Sequence, residues 1–303
     1  MRLVFAGTPE IAAIALERLA RQYPIALVIT RPDAPVGRKK VMTQSPVAEV
    51  AQKLGLKVLK AERLMPEHLE IVRDARAGRA VVVAYGALVK KPFLELFPWW
   101  NLHFSLLPEW RGATPLQHSM MHQQGIGVTV FELDEGLDTG SILAQQALEF
   151  HQGETAGEAL LRFTEIGTDL LIETLRSNPK QTPQPSGGTM APKISRPEAR
   201  VKFDLPADAL ALRVNALNPE PAAWAELDGQ PIKLLRAKSL GSVNWHAIDQ
   251  KLEPGRVELF EGRVLCGAGG GTRLELLEVQ PAGKKVMSAG DWLRGQAKAV
   301  KLD

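Results

Sequence analysis

Along the first 175 residues, short apolar runs alternate with stretches whose apolar positions recur every three or four residues. Leu3-Val4-Phe5-Ala6 reads as a strand that stops at Gly7. Thr8 reads as a helix cap with Pro9 at the first helical position, and Ile11, Ile14, Ala15 and Leu19 form the expected buried stripe. Ile25–Ile29 and Lys57–Leu59 predict a second and a third strand, and Ala80–Ala84, apolar on both faces, a fourth. Gly127–Phe131 and Ile142–Leu148 add two more, followed by a long helix over Thr155–Leu175. Continuous apolar strands separated by helices bury both faces of a sheet, which predicts an α/β, doubly wound, mostly parallel sheet.

The pattern changes after Ser177. Asn178-Pro179, Pro183, Pro185, Gly187-Gly188, Pro192 and Pro197 break any regular period, so residues 178–200 read as a linker between a first domain, 1–177, and a second, 201–303. The second domain opens with an amphipathic helix over Ala207–Ala216. Short strands follow: Ala223–Leu227, Ile232–Ala237 after an Asp228-Gly229 turn, Arg256–Leu259, Arg263–Cys266 and Leu274–Val279. Short strands at close spacing predict a small β-barrel.

Composition narrows the function classes. Hydrophobic residues make up 45% and charged residues 23% of 303 positions, the balance of a folded globular chain rather than a disordered one. The single cysteine, Cys266, closes no intrachain disulfide and excludes a cysteine-built zinc site. The first residues lack the h-region of a signal peptide, and no apolar run reaches the ~18 residues that span a bilayer, so a cytoplasmic, monomeric protein without membrane attachment is expected. A net charge of +3 tolerates a nucleic-acid partner without announcing one, since a binding footprint needs local clustering. Gly7-Thr8-Pro9 lacks the GxGxxG fingerprint, and no phosphate-binding Walker sequence occurs. His118 and His122 stand four apart without a nearby third ligand, which favours a solvated helix face over a metal site.

The informative stretch is Asn101-Leu102-His103-Phe104-Ser105-Leu106-Leu107-Pro108-Glu109-Trp110-Arg111-Gly112. On extended chain, Asn101 and His103 share one face. Near the carboxyl end of a parallel strand they would stand where open α/β sheets bind ligands. An amide donor beside an imidazole suits acyl transfer, one group for a developing oxyanion and one for proton movement. Asp134-Glu135-Gly136-Leu137-Asp138-Thr139-Gly140 follows the Val128–Phe131 strand and is expected at the same edge, with Asp138 turned toward His103 either directly or through a water. A long loop over residues 31–42 carries Arg38, Lys39 and Lys40, a length that favours function over a plain connection.

The Asn-x-His-x-Ser-Leu-Leu-Pro-x-Trp-Arg-Gly run followed by Leu-Asp-Thr-Gly resembles the signature of the 10-formyltetrahydrofolate-dependent formyltransferases. Phe5–Glu10, Val81–Gly86 and Gln280–Lys285 extend the resemblance over residues 1 to 295. It implies Asn101, His103 and Asp138 as catalytic residues, with His103 as base or as electrostatic stabiliser. It also implies Ser105-Leu106-Leu107-Pro108 as a folate-binding segment, with Tyr85 and Gly86 along the same pocket. The implied fold is a formyltransferase domain joined to an OB-like barrel. The implied reaction moves a formyl group from 10-formyltetrahydrofolate to the amino group of initiator methionyl-tRNA, with no metal, and the 31–42 loop entering the acceptor stem. A sugar-nucleotide N-formyltransferase, or a tRNA-binding protein with an inactive domain, are the alternatives. Pro98-Trp99-Trp100 makes the segment before Asn101 short for the family, so the strand presenting Asn101 is expected to start late or bend.

Overall fold

The structure is a computed structural model that describes residues 1–37, 39–240 and 252–303. Arg38 and His246 therefore lie outside the described residues. The chain divides into two compact units, 1–115 with 124–149 and 160–192, and 116–123 with 150–159 and 193–303.

The strands of the first unit are β1 (Leu3–Gly7), β2 (Ile25–Thr30), β3 (Ala34–Val36), β4 (Val41–Thr43), β5 (Val58–Lys60), β6 (Arg79–Val83), β7 (Trp99–His103), β8 (Arg111–Gly112), β9 (Gly127–Glu132), β10 (Ile142–Ala147) and β11 (Met190–Ala191). The α-helices among the described residues are α1 (Glu10–Ala20), α2 (Pro46–Lys53), α3 (Leu69–Asp74), α4 (Lys91–Leu94), α5 (Pro115–His122), α6 (Ala156–Ser177), α7 (Ala207–Ala216) and α8 (Ala289–Arg294). The main sheet runs in the order β10-β9-β7-β6-β1-β2-β5. It is parallel from β7 through β5, whereas β9 runs antiparallel to both β7 and β10. Val4, Ala6, Leu27, Ile29, Ala80, Val82 and Trp99 are fully or nearly fully buried within one core, as strands covered on both faces must be.

Local chemistry departs from the sequence expectation in three places. Thr8 does not cap α1; Pro9 is the N-cap, and the Thr8 hydroxyl donates to the Tyr85 carbonyl at 3.2 Å. The buried face of α1 is built on Ile11, Ala12, Ala15, Leu16 and Leu19, while Ile14 is half-buried. The 31–42 loop contains a hairpin, β3 paired antiparallel with β4 through Val36↔Val41.

β7 is straight rather than late or bent. It starts at Trp99 and stays in register with β6 from Ala80↔Trp99 to Val83↔Leu102. The two tryptophans explain the regularity. Trp99 donates its indole N–H to the Phe93 carbonyl at 2.8 Å, and Trp100 donates to Glu132 at 3.1 Å with the Arg79 guanidinium 3.7 Å over its ring. A large aromatic that satisfies its one polar atom anchors the strand firmly. On the face of Trp100, Leu102 lies so close to α6 that a Cβ at Gly167 would come within 2.9 Å of it.

The segment after α6 joins the first unit as an extended strap. Thr182 and Ile142 exchange two backbone bonds of 2.8 Å, and β11 pairs in parallel with β8.

The second unit carries β12 (Ala223–Leu227), β13 (Gln230–Ser239), β14 (Arg256–Phe260), β15 (Arg263–Gly267), β16 (Arg273–Pro281), β17 (Met287–Ser288) and β18 (Val300–Lys301). Their order is β12-β13-β16-β15-β14-β18, with β17 on β16. Beyond β18, Asp303 and Glu226 exchange backbone bonds of 2.9 and 3.0 Å, so the ladder returns to β12 and closes as a barrel. Asp228 and Gly229, at φ +50° and +73°, make the two-residue turn between β12 and β13. Leu210 and Val214 of α7 enter its core with Leu234, Leu274, Leu276 and Trp292.

Candidate active site

The site grows from the carboxyl end of β7. Asn101 faces Val82 on one side and Phe131 on the other, and His103 faces Thr129. Alternation along the strand puts the Asn101 and His103 side chains on one face, opposite Trp100 and Leu102. Asn101 is half-buried, and among the described residues its carboxamide makes no hydrogen bond. His103 is 4% exposed and meets Phe131 edge-on at 6.2 Å.

His103 Nε2 lies 3.0 Å from the Trp110 carbonyl oxygen. A carbonyl only accepts, so this nitrogen carries the proton, and in the neutral ring Nδ1 holds the lone pair. Nδ1 stands 3.9 Å from Asp138 Oδ2, beyond a hydrogen bond but inside strong Coulombic range. Burial pulls the His103 pKa below 6.5, while the Asp138 charge and the Trp110 carbonyl oppose that shift. The ring is therefore neutral at neutral pH and is offered a carboxylate on protonation.

Asp138 reaches this position by a different route from the one expected. The 134–140 loop was placed at the carboxyl edge on the premise that it leaves a parallel strand. Because β9 runs antiparallel, Glu132 lies beside Trp100, so the loop starts from the opposite edge and folds back. Internal bonds hold the return. Asp134 Oδ1 accepts from the Gly136 N–H at 3.0 Å and the Thr139 hydroxyl at 2.7 Å. Asp138, at φ +54°, accepts the Gly112 N–H on Oδ2 at 2.8 Å. Gly112 itself, at φ +125°, lies so near β11 that a Cβ would meet the Ala191 carbonyl oxygen at 2.7 Å.

The other anticipated residues divide. Ser105 is buried, donates to the Glu109 carbonyl at 2.6 Å, and accepts on its own carbonyl from Thr129. The Leu107 N–H donates to the Thr129 hydroxyl at 3.1 Å and its carbonyl accepts from Gln145 at 2.8 Å. These bonds stiffen the 105–108 backbone just beyond His103. Tyr85 turns its ring into the core, donates to the Ala61 carbonyl at 3.0 Å, and has its pKa pushed up to about 12 by burial. Only the backbone of the 84–86 turn is left to face a ligand, with Gly86 at φ +80° against Arg31. Phe104 is buried. Lys39 and Lys40 stand exposed on the β3–β4 turn, a separate element from β7. Among the described residues no group of three His, Cys, Asp or Glu side chains could hold a metal ion, and no helix is long and apolar enough to cross a membrane.

Two contributors escaped sequence reasoning. The Trp110 carbonyl is a backbone group, invisible to residue type. Gln184, which touches the Asp138 turn, sits in a Pro-rich stretch that read as linker.

Comparison with known proteins identifies the family. Residues 1–175 match the family described as formyl transferase, and residues 193–297 match the formyl transferase C-terminal domain. The chain is 44% identical to a methionyl-tRNA formyltransferase of Leifsonia xyli, over 97% of each chain, and 42% identical to one of Clavibacter michiganensis over the same shares. In fold it is similar to an N-formyltransferase of Helicobacter canadensis solved with folinic acid and dTDP-3-aminofucose (TM-score 0.63, 19% identity, 92% of this chain and 98% of that one). It is also similar to HypX of Aquifex aeolicus solved with tetrahydrofolic acid (TM-score 0.65, 16% identity, 99% of this chain and 50% of that one). With both family descriptions matched in order and about four residues in ten shared over nearly its whole length with these relatives, the chain belongs to the formyl transferase family.

Proposed function

We propose that this enzyme transfers the formyl group of 10-formyltetrahydrofolate to the amino group of initiator methionyl-tRNA, in the cytoplasm, with Asn101, His103 and Asp138 as its catalytic residues. One observation carries the reading. A carboxamide with no hydrogen bond among the described residues stands one strand period from a neutral imidazole whose lone pair faces a fixed carboxylate.

The chemistry follows from those atoms. As the amine nitrogen bonds to the formyl carbon, negative charge grows on the formyl oxygen, and the Asn101 amide donates to it. A comparable donor is worth about 2.7–4 kcal/mol of barrier. The amine must lose a proton. His103 Nδ1 is the ring atom able to take it, because Nε2 is committed to Trp110. Asp138 then stabilises the imidazolium across the 3.9 Å gap. The proton leaves Nδ1 for the folate nitrogen as its bond to the formyl carbon breaks, so the ring ends neutral as it began. The residues present suit the folate co-substrate: the 105–108 segment, stiffened by Thr129 and Gln145, and the backbone of Tyr85 and Gly86 would hold it.

The tRNA would meet the β3–β4 hairpin, where Lys39 and Lys40 lie beside Val36, Val41 and Met42, each more than half exposed. Arg38, their neighbour in sequence and outside the described residues, extends the same basic run. Lys193, Arg196, Lys284 and Lys285 of the second unit would add phosphate contacts. Relatives at 40–44% identity favour tRNA over a nucleotide sugar, since the sugar-acting proteins share only the fold. The unbroken register of β7 on β6 supports an active domain over an inactive one.

The test supplies 10-formyltetrahydrofolate with either charged initiator tRNA or a nucleotide amino sugar and follows the formyl group. Formyl-methionine on the tRNA, with the sugar unmodified, is the expected result. The reverse outcome overturns the proposal.

A further inference from the structure

Gln184 lies seven residues past the end of α6, in a Pro-rich stretch with no regular period. Its side chain is nevertheless fully engaged. Nε2 donates to the carbonyls of Asp138 (2.9 Å) and Gly140 (2.7 Å), and Oε1 accepts from Arg111 Nε (3.0 Å) and Nη2 (2.7 Å). Two donors and two acceptor positions are the whole capacity of a carboxamide, and all four are used.

The partners are those that set the catalytic carboxylate. Arg111 precedes Gly112, whose N–H grips Asp138 Oδ2, while Asp138 and Gly140 form the turn carrying that carboxylate. Asp138 is held in the left-handed region, a strained conformation for a residue with a Cβ, which persists only where the surroundings over-determine it. Gly140 approaches β9 so tightly that a Cβ would lie 1.7 Å from the Glu132 carbonyl oxygen. Bonds within the loop fix Asp134 to Gly136 and Thr139, but the backbone carbonyls on either side of Thr139 are secured by Gln184. The segment is itself tied down on both sides: Thr182 pairs with Ile142, and Thr189 accepts the Trp110 N–H on its hydroxyl at 2.9 Å.

We propose that Gln184 is a positioning residue for formyl transfer, clamping the Asp138 turn to the Arg111–Gly112 strand so that the carboxylate is held against His103 Nδ1. This rests on the catalytic reading of His103 and Asp138. With its whole carboxamide engaged by Arg111, Asp138 and Gly140, Gln184 acts through Asp138 rather than on the reacting atoms.

The experiment measures steady-state formylation by the full chain carrying Gln184→Met, Gln184→Glu, Asp138→Asn, His103→Ala, or Gln184→Met with Asp138→Asn. Thermal melting certifies that each is folded. Gln184→Met should lower kcat ten- to hundredfold and leave KM for both substrates within twofold. Gln184→Glu should lose as much, because a carboxylate keeps Arg111 but offers no donor to the two carbonyls. In the Asp138→Asn background, Gln184→Met should change kcat less than twofold, since the group it aims has lost its charge. Should Gln184→Met fail to fold, Gln184→Asn carries the same expectation, its shortened amide losing the two carbonyls. Full kcat in any folded Gln184 variant, or losses that multiply with Asp138→Asn, overturn the inference while His103→Ala and Asp138→Asn each keep a measurable kcat lowered at least tenfold. If those two retain full turnover, the catalytic reading itself has failed.

Discussion

At the scale of single residues, the site depends on which nitrogen of one imidazole is occupied. The Trp110 carbonyl accepts from the His103 Nε2–H, which leaves Nδ1 facing Asp138; in the proposed reaction Nδ1 is the working atom and Asp138 its counter-charge. Asn101→Ala should lower kcat by about 10²–10³ with little change in melting temperature, because the amide serves the oxyanion and no hydrogen bond among the described residues. His103→Ala should lower kcat at least tenfold and also destabilise the chain by roughly 1–3 kcal/mol, since a buried ring and its hydrogen bond to the Trp110 carbonyl are lost together. Combining His103→Ala with Asp138→Asn should cost far less than the product of the single losses. The pH dependence follows from the sign of the His103 shift. Burial lowers its folded pKa, so on acidification the unfolded chain takes up this proton first. Its contribution to stability is complete above 6.5 and declines as pH falls toward the folded pKa. The acid limb of kcat should accordingly lie below 6.5, and an acid limb above 6.5 in a pH-rate profile would contradict the neutral ring.

At the scale of elements, the antiparallel β9 decides how the site is assembled. It sends the 133–140 loop away from the catalytic edge and requires a return held by Asp134, Gln184 and two close-packed glycines. Gly140→Ala tests that return. The new Cβ would meet the Glu132 carbonyl at 1.7 Å, so the turn must move, and both kcat and melting temperature should fall. The β3–β4 hairpin makes a separate prediction. Lys39→Ala and Lys40→Ala should each reduce the salt slope of tRNA binding by about one unit and leave KM for the folate unchanged. An unaltered slope would remove the hairpin from the tRNA surface.

At the scale of the molecule, the two units do not divide at one point in the chain. Residues 116–123 and 150–159 group with 193–303, so the second unit takes α5 and the start of α6. Gly157 donates to the Asn218 carbonyl at 3.0 Å, and Arg236 pairs with Glu158 at 2.5 Å. A chain ending at Pro192 would lose both. Hydrogen exchange should then show the first turn of α6 unprotected while β1, β6 and β7 remain slow. Equal protection of residues 156–160 in the full and shortened chains would contradict the division. A cut near Ser186, where sequence places the linker, would also remove Thr189 and β11 from the catalytic edge.

Periodicity and turn residues were enough for several main elements of both units, because burying an apolar stripe or an alternating face is a local demand that a segment meets by itself. β1, β2, β6, α6, α7 and the Asp228-Gly229 turn were all legible in this way. Residue type and spacing singled out Asn101, His103 and Asp138 as candidates, and the family resemblance supplied the roles proposed for them. Strand direction was not: β9 has the same apolar alternation whether it runs parallel or antiparallel, and only pairing with β7 and β10 decides. The hairpin within 31–42 was equally hidden, its strands being three residues long and exposed. Gln184 and the Trp110 carbonyl became visible only in the folded chain, since a linker-like sequence acquires meaning from partners 44 to 73 positions away and a backbone oxygen from a single buried ring. Which residues can do chemistry is a property of side chains, and which of them meet is a property of the sheet that brings their backbones together.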